Sequence, residues 1–331
     1  MCFRTGAGQN NTQDNIVGIG FEALANNTGV YNLAIGYEAL AAANTGIYQM
    51  AFGYQSLTAN LSGTQNTAVG ANTLFANTTG GYNIAVGRNA GRNTNANSAI
   101  YIGWQVARNN TQDNVVAIGR SAMDNNTGVN AVGIGYNVLI NNSGDSNTAI
   151  GNYAMDAVVT GAQNTALGAY AGSSNTSASW NTLIGTLAGN KITTGHSNTF
   201  LGYRVGNDMV DGIENTFIGR QAGHDSTGSG NIHLGFQAGG VNAASNRLYI
   251  NNSNSAYPLI YGEFDNDAVK FGDNNAYWFA QILHENGGGQ VFLKECTTPT
   301  TQAGYGALYT KADNKLYFQS GDGNEHEVTI S

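Results

Sequence analysis

The side chains best suited to metal or acid–base chemistry are the histidines, His196, His224, His233, His284 and His326. No two of them stand four residues apart, and none lies in an H-x-x-E-H arrangement, so the spacing argues against a zinc enzyme. His224 and Asp225 are neighbours in a stretch that reads as a solvated turn. Asp208, Asp211 and Glu214 form a carboxylate group of the kind glycoside hydrolysis needs, but proximity along a loop does not by itself make a cleft. Gly287-Gly288-Gly289 lacks the Lys-Ser/Thr of a phosphate loop, and the aspartate-bearing calcium nonapeptide is absent. Cys2 and Cys296 lie 294 positions apart, which suits neither a zinc site nor a disulfide framework; they read as unrelated thiols. The expectation is therefore a non-enzyme with no catalytic residue, no cofactor and no metal ligand.

What the chain does carry is a period. A glycine follows a short apolar strand at Gly20, Gly36, Gly53, Gly70, Gly87, Gly103, Gly119, Gly135, Gly151, Gly168, Gly185, Gly202, Gly219 and Gly235, always at intervals of 16 or 17 residues. The residue before this anchor is apolar in all fourteen units. Three before it stands a β-branched or apolar residue, as in Thr67, Ile84, Val116, Thr148 and Thr216. These two positions share one face of a strand, and the mostly small residue between them (Ala34, Ala51, Ala68, Ala85, Ala117, Ala149, Ala166) faces the other way. Both faces are expected to be buried, with Ile35, Val69, Val86, Ile118, Ile150, Leu167, Ile184 and Ile218 forming the core.

The rest of the unit supports this reading. Three after the anchor stands another mostly small residue. Next comes Leu24, Leu40, Leu57, Leu74, Met123, Leu139 or Met155, a place that becomes glycine from Gly172 onward. A polar turn such as Asn26-Asn27-Thr28-Gly29 closes the unit, where Asn and Gly tolerate positive φ. A unit this short excludes helix pairs and propeller blades and fits one coil of a parallel β-solenoid. Fourteen coils at ~4.8 Å give a length of roughly 65 Å. Asn recurs four before the anchor, at Asn32, Asn66, Asn83, Asn147, Asn164, Asn181, Asn198, Asn215 and Asn231, either as a ladder of bonded amides or as a turn former. An aromatic often follows the anchor: Phe21, Tyr37, Tyr54, Trp104, Tyr136, Tyr203 and Phe236. Stacked in a stripe, these rings form either a flat surface for sugar rings or a corner packed against another subunit.

Bulk composition agrees. The chain has 331 residues, 46 glycines, 2 prolines and only 10% charged residues, with hydrophobics at 41% and aromatics at 10%; this is a folded chain rich in tight turns. The net charge of −8, with no Lys/Arg cluster, gives nucleic acid no electrostatic footprint. No run of 18 apolar residues exists, so no membrane insertion is expected, and Met1-Cys2-Phe3-Arg4 lacks the apolar run of a signal peptide.

The units NTAVG, NTAIG, NTALG and NTFIG, each followed by an alanine-bearing turn and an NNTG-like corner, resemble the head repeats of YadA-type trimeric adhesins and the repeats of bacteriophage tail fibres. The resemblance spans about residues 11–245 and implies a left-handed parallel β-roll that packs as a homotrimer around a threefold axis. The units here are longer than those of the adhesin heads. Tyr101 and His233 also stand where the pattern is small.

The glycine period stops near Asn246. Residues 1–245 hold 19 charged residues and residues 246–331 hold 15, a shift that marks a domain boundary between the solenoid and a C-terminal antiparallel β module. Two strands around an Asn/Ser turn are expected in the segment from Asn246 to Phe264. A meander follows over Ala307–Lys311, Lys315–Gln319 and Glu325–Ile330. Such modules resemble those near the ends of phage appendage proteins, and no coiled-coil stalk or membrane anchor is visible. The expected function is a structural virion appendage, a tail fibre that contacts a host-surface glycan or protein by multivalent attachment. It would join the particle through other virion proteins or through the C-terminal module, because some ten residues precede the first coil. The alternatives are a bacterial surface adhesin head and a purely architectural spacer or capsid decoration. An ice-binding solenoid would need a flat T-x-T array that the sequence lacks.

Overall fold

The computed structural model describes residues 2–3, 6–8, 11, 13–157, 159–240, 244–255, 258–266, 268–271, 280–285, 288–292, 307–310, 315–319 and 324–328. The chain is an all-β parallel solenoid of about fourteen turns followed by small antiparallel sheets. Strand β1 (Cys2–Phe3) pairs in parallel with β2 (Val17–Ile19), so the stack already has a strand before the first glycine-marked coil. From β2 to β15 (Ile232–Leu234) every strand has three residues and pairs in parallel with the next. The register sets Ile35 on Phe52, Phe52 on Val69 and Ile150 on Leu167. The column expected from the period is therefore present.

Stacking explains the glycine. The anchors take φ between 113° and 144°, which L side chains rarely adopt, and a Cβ on Gly36 would meet the carbonyl carbon of Gly53 at 2.6 Å. Both demands come from the next coil lying directly above. The last coil, β16 (Arg247–Ile250), pairs in parallel with β15 and carries Asn251 in the anchor's place. No further parallel strand stacks there. β16 instead pairs antiparallel with β17 (Ile260–Glu263), and the sheet continues through β18 (Ala268–Phe271), β19 (Ala280–Glu285) and β20 (Gly288–Phe292). The expected boundary after residue 245 thus falls just before a strand that belongs to both regions. The expected meander is present as β21 (Ala307–Thr310), β22 (Leu316–Gln319) and β23 (Glu325–Glu327).

The interior corrects the expected core. In every solenoid strand the central residue is the buried one, and its neighbours are half-buried or exposed. Ile35, Val69, Ile118, Ile150 and Ile184 are half-buried on the outer face, and Val86, Leu167 and Ile218 are more exposed there, at 37–44%. The cause is width. A coil with three-residue strands admits little more than one small side chain from the strand and one larger one from the opposite corner. Ala34 is matched by Leu40, Ala51 by Leu57 and Ala149 by Met155, all buried.

Where the strand residue is large, the corner residue shrinks. Leu183, Phe200, Phe217 and His233 are buried at the central position, and their coils carry Gly189, Gly206, Gly223 and Gly239 at the corner. A Cβ on Gly206 would meet the Phe200 ring at 2.5 Å. These large side chains also lean on the preceding coil: a Cβ on Gly91 would meet Tyr101 Cδ2 at 2.6 Å, and one on Gly172 would meet Leu183 Cδ1 at 2.8 Å. The corner glycines have φ of 52–62°, so each also removes the left-handed strain that Leu or Met bears in the other coils. Tyr101 therefore fits: its hydroxyl accepts from Asn110 Nδ2 at 2.7 Å and lies 3.3 Å from Thr94 Oγ1.

The asparagines act as both ladder and turn former. Asn164 Nδ2 donates to Asn147 Oδ1 at 3.1 Å and to the Ala178 carbonyl at 2.8 Å, and Asn164 Oδ1 accepts the Asn181 backbone N–H at 3.1 Å. Each amide thus satisfies its own coil's neighbours above and below. A second buried column escaped the sequence reading. Asn44 donates to Asn27, Asn60 to Asn44 and Asn77 to Asn60, with Nδ2–Oδ1 distances of 2.6–3.0 Å.

Replacing Asn198 by Leu is expected to cost about 2–4 kcal/mol, because the Asn215 N–H and the Gly212 carbonyl both lose a buried partner. Replacing the half-buried Asn109 by Ala should cost under about 1 kcal/mol, because its bonds to Asn93 and Asn125 lie at the solvent-exposed surface, where water can replace them. Urea titrations of the two variants check the contrast.

His233 gives a second expectation. Its ring stacks 4.3 Å from Phe217, neither ring nitrogen has a hydrogen-bond partner among the described residues, and burial pushes its pKa down to about 3. The unfolded chain holds this group near 6.5, so between these values only the unfolded state takes up the proton. Stability should fall by about 1.4 kcal/mol for each pH unit below roughly 6.5, levelling off near 3. His233→Phe should remove this component and gain about 2 kcal/mol over the parent at pH 5 relative to pH 7, read from denaturant midpoints.

Candidate interaction surface

The outward strand positions make the dominant surface feature. Val17 with Ile19, Leu33 with Ile35, Met50 with Phe52 and Ile84 with Val86 continue through Thr216 with Ile218 and Ile232 with Leu234. These pairs form two columns about 7 Å apart along roughly 65 Å, on the order of 450 Å² before any flanking residue is counted. Phe52 is 50% exposed and Leu201 44%. No charged side chain enters either column. The column before the anchor is apolar in every coil and its neighbour is apolar in eight coils and threonine in six, and a soluble surface rarely keeps so long an apolar stripe uncovered.

Aromatic columns flank the stripe. On one side Phe21, Tyr37 and Tyr54 stack with centroids 5.3 Å apart and rings within 13° of parallel. Further along, the Arg120 guanidinium lies 4.4 Å from the Trp104 ring and 5.4 Å from Tyr136, and Arg220 lies 5.3 Å from Phe236. Tyr203, exposed, sits in the same column. Arginine therefore completes the stack where aromatics alternate with it. On the other side Tyr31 and Tyr48 stack at 5.0 Å, and Trp180 donates through Nε1 to Gln163 Oε1 at 2.6 Å. The sequence-predicted stripe thus exists, but where it is continuous its ring faces are covered by one another or by arginine. It offers edges outward, which suits packing against another protein surface better than a sugar ring's face.

The candidate chemical groups divide. Asp211 and Glu214 are exposed, whereas Asp208 gathers with His224 and Asp225 instead. Lys191 bonds Asp208 at 2.8 Å and holds its carboxyl below the usual carboxylate range. His196 packs edge-on against Trp180. His326 lies exposed in β23, and His233 is the core ring described above. The side chains of Cys2 and His284, and the residues Gly287 and Cys296, lie outside the described residues. Among the described residues no helix is long and apolar enough to cross a membrane. Comparison of the chain with protein-family models, with curated proteins and with solved structures returns no match.

If the central residues face inward, Ala149→Leu should overpack the interior and cost about 1–3 kcal/mol even under conditions where the chain is monomeric. Ile150→Thr, on the outer face, should then change stability by under about 0.5 kcal/mol. Denaturation of dilute samples separates the two.

Proposed function

We propose that three copies of this chain pack their apolar stripes together around one axis, as left-handed rolls, and form a stiff fibre. The fibre serves as a virion appendage of the tail-fibre type, holding or making a multivalent contact with a host-surface glycan or protein. It is non-enzymatic, and its partners are its own copies, other virion proteins and the host surface. The observation that carries the reading is the apolar column running the length of the solenoid on its outer face, beside an uncharged column that is apolar in eight coils and threonine in six. Each half-exposed Val, Ile or Leu that is fully covered contributes on the order of 1 kcal/mol, and the columns repeat this in about fourteen registers. A second copy is a fitting occupant because its own stripe has the same rise and length, so matching needs no new pattern. The flanking aromatics then sit at the rim of the contact, where such residues are common. The threefold symmetry and handedness come from the likeness of the NTAVG-type units to adhesin heads and phage fibres.

Sedimentation equilibrium tests the assembly. The parent should sediment as three chain masses. Placing lysine at Ile118 and Ile150 together should yield folded monomers, each site weakening association on the order of a hundredfold, roughly 3 kcal/mol. A monomeric parent at micromolar concentration would sink the proposal. Labelled protein incubated with candidate cells and with virions tests the role. Binding to particles alone would leave an architectural spacer, and binding to cells alone would leave a surface adhesin.

A further inference from the structure

Near the last coils of the solenoid, side chains from successive turns converge at one corner. Asp208 and Asp225 occupy the same place in adjacent coils, six after Gly202 and Gly219, so stacking brings two carboxylates together. His224 joins them: one donor atom from each of the three lies within 4.8 Å of the others. The Asp208 bonds from Lys191 Nζ and Asn207 Nδ2 both go to Oδ1. Oδ2 receives none among the described residues. His224 Nδ1 lies 2.5 Å from Asp225 Oδ1 and donates to that carboxylate. This fixes the tautomer and leaves the lone pair on Nε2 without a protein partner among the described residues. A carboxylate that orients a histidine through one ring nitrogen while the other stays free is the usual outer-shell support of a metal-binding imidazole. Beside the group opens a recess of about 220 Å³, lined by Gln221, His224, Asp225, Gln237, Gly240 and Asn254.

The geometry points to a divalent transition-metal site of the zinc type at this corner, with His224 Nε2 and Asp208 Oδ2 as ligands. Asp225 orients the imidazole, and water completes the coordination. A nitrogen with carboxylate oxygens favours zinc over calcium or magnesium, which prefer all-oxygen sets. The ion would relieve the repulsion between the stacked carboxylates. Its ligands come from adjacent coils, so it would also tie those two coils together.

Isothermal titration of the full chain with zinc chloride tests this. One zinc per chain is expected, with magnesium and calcium binding at least about a hundredfold more weakly. His224→Ala and Asp208→Asn should each weaken zinc binding by at least about tenfold while far-UV circular dichroism stays unchanged. Diethyl pyrocarbonate labelling of the parent gives a readout that needs no variant: zinc should protect His224 and leave His196 labelled. Absence of zinc binding, undiminished binding in either folded variant, or equal labelling of His224 with and without zinc would each overturn the assignment.

Discussion

Each coil lies directly on its predecessor, in register, so every side chain meets its own equivalents one strand spacing away. This constraint decides which residues can occur. Amides satisfy it, because each carries a donor and an acceptor and can bond the copies above and below, as Asn147, Asn164 and Asn181 do. Flat rings satisfy it by stacking, as Tyr31 does on Tyr48 and Phe200 on Phe217. Like charges do not satisfy it, because a column of them would repel at every step. Several charges are accordingly interleaved: Arg108 bonds Asp124 one coil on, Lys191 bonds Asp208, and Arg120 sits between two aromatic rings, whereas Asp208 and Asp225, or Glu22 and Glu38, stack as like pairs. The scarcity of charge in the composition follows from the stacking.

The narrow interior adds a second constraint, conservation of volume within and between neighbouring coils. Alanine with leucine, and phenylalanine with glycine, are two solutions to the same filling problem. The coils of Gly87 and Gly168, where both interior places are small, mark the switch from one solution to the other, since the next coil's Tyr101 or Leu183 leans back to fill them. The first solution leaves a strained Leu or Met at the corner, and the second does not.

Register, coil length and the amide ladder were legible in the sequence because each is a one-dimensional period. The C-terminal strands β16, β17 and β21 to β23 were legible from turn chemistry, whereas β18 to β20 carry no turn signal that announced them. The direction in which the strand faces was not. In a three-residue strand the bulky pair at Ile84 and Val86 suggests the core, yet the small Ala85 is the interior residue and the bulky pair faces outward. The signal that would have decided it was present as a correlation: the coils with a large central residue are those whose corner, or whose predecessor's corner, is glycine. Tyr101 and Gly91 form one such pair, and Phe217 and Gly223 another. The second amide column was hidden because Asn27, Asn60 and Asn77 sit in Asn-rich turns that explain themselves locally, and because Asn44 is displaced by the extra residue of a longer coil. The cluster of Asp208, His224 and Asp225 was hidden for a related reason: Asp208 meets the adjacent pair His224 and Asp225 only through stacking, 16 and 17 residues away along the chain.

The reversal of strand direction from β16 to β17 has a consequence for growth. A parallel stack has no intrinsic end, and its final strand would otherwise template accretion of another molecule's coil, as a fibril tip does. An antiparallel neighbour occupies that edge with the opposite polarity, so the repeat cannot propagate across it. The object is finite at this end, and its axial reach is written in the number of coils. Whole coils inserted or deleted upstream would lengthen or shorten it in steps of ~4.8 Å and leave the terminus unchanged.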